Sequence, residues 1–67
     1  MEISARNQLP GTVKHVRLAE VMAEVTLDVG GHEVVAAVTR GSVERLGLKE
    51  GDQVTAIIKA TEVMIGK

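Results

Sequence analysis

From Val21 to Val29 every second residue is apolar: Val21, Ala23, Val25, Leu27 and Val29 share one face, with Met22, Glu24, Thr26 and Asp28 on the other. A period of two is the period of a strand. Gly30-Gly31 follows, and two glycines supply the positive φ angles of a tight hairpin turn. The return strand spans Glu33 to Thr39, with Val34, Ala36 and Val38 backed by Val35 and Ala37. A chain that contains this hairpin must build a sheet around it. Its second strand is apolar on both faces, which predicts burial on both. A sheet this small has little of its own to cover the second face, so a partner subunit is expected there.

The other segments extend the sheet. Leu9 to Leu18 reads as a strand whose start, with Pro10 lacking a donor and Gly11 weakening the pairing, is an edge or a bulge. Its alternation slips between Val13 and Val16, which predicts a bend. After Thr39 the period changes: Val43 and Leu46 lie three apart and Gly47 is a natural stop, so Ser42 to Leu46 fits one or two helical turns. Lys49-Glu50-Gly51-Asp52 reads as a turn. Gln53 to Lys59 alternates again, with Val54, Ala56 and Ile58 inward, and Glu62 to Ile65 is expected to be a final short strand. Five strands with a helical turn between the third and fourth is the order of a small all-β, OB-like Greek-key barrel.

The totals narrow the possibilities. With 67 residues the chain makes one domain, residues 1–67, and a domain this small buries only about 60% of its unfolded surface. Such domains add disulfides, a metal or oligomerisation. There is no cysteine, and the two histidines, His15 and His32, have no metal-ligand spacing, so self-association is the expected route. The absence of Phe, Tyr and Trp removes the platforms on which single-stranded nucleic acid stacks. A formal charge of -1 offers no footprint for a phosphate backbone. No apolar run approaches the ~20 residues of a membrane span, and no signal segment opens the chain. A cytoplasmic protein without a nucleic-acid or membrane partner is expected.

Catalysis has little to work with. A nucleophile needs a base within reach and an orienting group behind it. His15 lies mid-strand and His32 beside a turn, while Glu44, Glu50 and Asp52 fall on a helix surface and a turn. No enzyme is expected. Anion binding fares better. Thr39-Arg40-Gly41-Ser42 begins the short helix, where free N–H groups favour negative charge, although Thr39 or Ser42 also reads simply as a cap. Ser4 and Arg6 at one end and Lys59 at the other add hydroxyl and cationic donors beside apolar strands.

Ser4-Ala5-Arg6-Asn7-Gln8-Leu9 with Gly11 and Val13, together with Ile58-Lys59-Ala60-Thr61-Glu62-Val63-Met64-Ile65, closely resembles the molbindin family of molybdate-binding domains. The likeness continues through Thr39 and Ser42, Leu46-Gly47-Leu48 and Glu50-Gly51, so it covers essentially the whole chain, as a stand-alone single module. The resemblance implies an OB-like barrel with strands exchanged between subunits, and a homohexamer, a trimer of dimers, holding several oxyanions at subunit interfaces. Carried over by position, Ser4 and Arg6 would meet molybdate or tungstate from one subunit. Thr39, Ser42, Lys59 and Ala60, the last through its backbone N–H, would meet it from a neighbour, with Thr61 in the same run. Asn7 would shape the loop or a second site. No direct protein ligand to the metal is implied. The rival reading is a swapped-hairpin DNA-binding regulator, resembled by Leu46 to Val54 alone.

Overall fold

The computed structural model describes all residues from Met1 to Lys67. Four strands and one helix follow in order: β1 Asn7–Leu18, β2 Met22–Val29, β3 His32–Thr39, α1 Arg40–Leu46 and β4 Gln53–Ile58. A single 3-10 turn, Ala60–Glu62, comes after β4. The strands form one antiparallel sheet in the order β3-β2-β1-β4.

The hairpin of β2 and β3 forms as its alternation predicts, in register from Met22 opposite Thr39 to Val29 opposite His32. Gly30 and Gly31 take φ of 58° and 86°, and the Asp28 carboxylate accepts the Gly31 N–H at 3.0 Å, tightening the turn. Ala23, Val25 and Leu27 of β2 are buried, but Val21 lies outside the strand and is exposed. In β3 only the Val34, Ala36 and Val38 side is covered; Val35, at 58% exposure, and Ala37 face outward. The burial expected on both faces is therefore absent within one chain, because all the covering elements lie on the same side.

β1 is the spine, and it changes partner along its length. Asn7 to Thr12 pair with β4, and Thr12 to Leu18 pair with β2. The register slips between Val13 and His15, a bulge where the anticipated bend was placed, and bulges increase local twist. Val13, 2% exposed, is the most buried side chain. Its N–H donates to the Asp52 carbonyl and its carbonyl accepts from Gly51, both at 2.9 Å, so the turn before β4 docks on the bulge. Pro10 lies where β1 has β4 alone as a neighbour, so a residue without a donor is tolerated. Gly11 is required more strictly: a Cβ there would sit 3.0 Å from the Asp28 carbonyl oxygen and 3.0 Å from Val29 Cγ2.

The helix starts two residues before Ser42. Thr39 is its N-cap, with its hydroxyl accepting the Ser42 N–H at 3.0 Å. Gly47, at φ 64°, ends it, and bonds from Gly47 N to Glu44 O and from Leu48 N to Val43 O complete a Schellman cap. This places Val43 in the core with Val13, Ala23, Val25, Leu27 and Ala56.

Two expectations are corrected. Glu62 to Ile65 is not a strand: the 3-10 turn diverts the chain after β4, and Met64 and Ile65 are left 93% and 94% exposed. A strand forms only where a neighbour accepts its ladder, and this segment has none in its own chain. With four strands rather than five, the sheet does not close into a barrel, and β3 and β4 remain edges. Both edges, with Leu46 and Leu48, border one apolar trough of about 460 Å³.

Candidate functional site

The antiparallel register of β1 with β4 places Asn7 opposite Ile58. The residues just before β1 and just after β4 must therefore run side by side. They line one open cavity of about 430 Å³, whose walls are Ile3, Ser4, Ala5 and Arg6 from the N-terminal arm and Ile57, Lys59, Ala60 and Thr61 from the other side. Five of the eight residues marked out in the sequence, Ser4, Arg6, Lys59, Ala60 and Thr61, thus meet. The resemblance implied that Ser4 and Arg6 reach the anion from a different subunit than Lys59 and Ala60. Here the two segments already share a cavity within one chain.

The chemistry of this cavity is that of donors. Neither Arg6 nor Lys59 takes part in any of the three ion pairs, which are Lys14–Glu33, Arg40–Glu44 and Lys49–Asp52. No carboxylate lines the walls. The 3-10 turn is held by Glu62 N to Lys59 O at 2.8 Å and Val63 N to Ala60 O at 3.4 Å. The first amides of that turn, Ala60 and Thr61, have no backbone acceptor. Two cations, two hydroxyls and two free amides therefore border a space that the apolar Ile3 and Ile57 also line. Such a set of donors can hold a compact anion.

The remaining three residues fall elsewhere. Asn7 is half-buried at the start of β1, beside the cavity rather than in its wall. Thr39, the last residue of β3, stands opposite Met22 and thus at the far end of the sheet from Asn7, with Ser42 beside it in the first turn of α1. Their hydroxyls lie 2.7 Å apart. One of the pair donates to the other, which leaves a single hydroxyl hydrogen free for any ligand. The cap reading of Thr39 is realised in the structure. Ala5, Ile3 and Ile57 were not singled out in the sequence; the β1–β4 register, once known, identifies them. His15 and His32 are both exposed on the sheet, no group of three or more potential ligands gathers to hold a metal ion, and no helix is long and apolar enough to cross a membrane.

The family model described as the TOBE domain matches residues 3–65. The chain belongs to the TOBE domain family, in its molybdenum-pterin-binding (molbindin) branch. It is 52% identical over 66 residues to molybdenum-pterin-binding protein 3 of Clostridium pasteurianum, with 97% of each chain covered. The solved structure of a molybdate-binding protein from Sporomusa ovata superposes with a TM-score of 0.95 at 49% identity, over 100% of both chains. A structure of the cytoplasmic molybdate-binding protein ModG with molybdate bound matches at TM-score 0.84 and 49% identity, covering 90% of this chain and 43% of that one. The family match spans both walls of the cavity, whereas the rival DNA-binding likeness reduces to a helix cap, a turn and the first residues of β4.

Proposed function

We propose that this protein binds molybdate, and tungstate with it, at the cavity between the N-terminal arm and the 3-10 turn, as a component of intracellular molybdate storage or homeostasis. The observation that carries the reading is the convergence of Ser4, Arg6, Lys59, Ala60 and Thr61 on one carboxylate-free cavity. Molybdate is a tetrahedral dianion, deprotonated near neutral pH, and asks only for donors. Hydroxyls, amides and cations supply them, the charged ones most strongly. Hydrogen phosphate carries a proton that would find no carboxylate, at a cost of about 1–3 kcal/mol if left unpaired. Sulfate has no such proton, so it is separated from molybdate by size. Tungstate matches molybdate in charge and nearly in size.

Self-association completes the proposal. Val35, Leu46, Val63, Met64 and Ile65 are exposed, both sheet edges are unpaired, and the cavity is open. Large apolar side chains left in solvent beside unpaired strand edges favour association with further chains. A homohexamer built as a trimer of dimers, with strands exchanged between subunits, would cover them. Interfaces in that assembly would exclude water, which strengthens the fixed dipoles around a dianion, and would bring Thr39 and Ser42 of a neighbour into reach of an anion. The setting is the cytoplasm, as for ModG.

Calorimetric titration with molybdate, with sulfate and phosphate as controls, tests the reading. Saturable heat with molybdate and tungstate, and little with the controls, is expected. No molybdate heat would overturn it.

A further inference from the structure

The two walls of the cavity are held very differently. The 3-10 turn is tied by its own backbone, Glu62 to Lys59 and Val63 to Ala60. The arm, Met1 to Arg6, precedes β1 and makes no backbone–backbone hydrogen bond at all. One hydrogen bond reaches it: Gln8 Nε2 donates to the Ala5 carbonyl at 2.8 Å. Ala5 stands between Ser4 and Arg6, the two donors that the arm brings to the cavity. Gln8 itself is fixed by the ladder, paired with Ile57 of β4. Its side chain therefore connects a rigid strand to the one point of the arm from which both donors diverge.

We infer that Gln8 is a positioning residue for the anion site, holding the arm so that Ser4 and Arg6 face the cavity before the anion arrives. The inference rests on the anion-binding reading above. Gln8 is outside the cavity wall and touches no anion; it acts through the Ala5 carbonyl. A preorganised arm leaves less ordering to be done on binding, which is how rigidity becomes affinity.

Gln8→Met keeps the length and bulk of the side chain and removes the donor. In the anion-free variant the backbone order parameters of Ser4 to Arg6, read by NMR relaxation, are expected to fall below those of the parent. Molybdate affinity, measured by calorimetry, is expected to fall about threefold to tenfold, the range of one ordinary hydrogen bond, with an unchanged Tm. A double-mutant cycle separates positioning from general damage. In a Ser4→Ala/Arg6→Ala background the Gln8→Met loss should vanish, since the arm then has nothing to position; in a Lys59→Ala background it should persist in full. Unchanged order parameters and affinity in Gln8→Met, equal losses in both backgrounds, or an affinity that falls only together with Tm would each overturn the inference. A parent protein that takes up no molybdate would overturn the anion-site reading and this inference with it, whereas a binding parent beside an unaffected Gln8→Met overturns the inference alone.

Discussion

Thr39 Oγ1 accepts the Ser42 amide at 3.0 Å, so removing that hydroxyl costs a helix cap before it costs anything else. Thr39→Ala is expected to lower stability by about 1 kcal/mol, read from the midpoint of denaturant unfolding. If a neighbouring chain also presents Thr39 to an anion, molybdate affinity will fall in the same variant by more than the stability loss explains. Lys59 is the opposite case. It is exposed, unpaired and in the cavity wall, so Lys59→Ala is expected to leave Tm within a few degrees while weakening molybdate binding about tenfold or more, the loss of one charge-assisted hydrogen bond. Gly11 belongs wholly to the fold. A methyl group there meets backbone of β2 at 3.0 Å, and overpacking against backbone costs about 1–3 kcal/mol, so Gly11→Ala should shift the unfolding midpoint without any specific effect on binding.

At the scale of elements, the alternation of β2 and β3, their Gly-Gly turn and the Gly47 stop were all readable, because each is a local rule obeyed locally. The slip in β1 was readable as a bend, since Val13 and Val16 break the period, yet its purpose was not: only the paired register shows β1 passing from β4 to β2 at that point. The segment Glu62 to Ile65 was misread because its residue types suit a strand, while forming one needs a ladder partner that this chain does not offer. The site was legible as two donor-rich segments. Their meeting depends on Asn7 standing opposite Ile58, a long-range pairing that no local pattern encodes. β3 also carries a prediction. Val35 faces outward at 58% exposure, so Val35→Lys should leave the circular dichroism of the folded strands intact and reduce the native mass if another subunit covers that face.

The whole molecule is a short sheet with a small aliphatic core of six side chains, two free edges and an exposed apolar tail. A fold so thinly covered is expected to be stable chiefly as an assembly, since association that favours the folded chain raises its apparent stability by mass action. Tm should therefore rise with protein concentration, and rise again on adding molybdate if the anion is held between chains. The feature that links the fold to the proposed function is the antiparallel pairing of β1 with β4: it gives the sheet its spine and carries the two donor segments to one place. Native mass spectrometry with molybdate tests that union most directly. We expect an oligomer, a multiple of the 7.1 kDa chain, carrying the added mass of tetraoxo anions that is lost in Lys59→Ala while the oligomer persists. A monomer without added mass, or anion uptake that Lys59→Ala leaves unchanged, would contradict it.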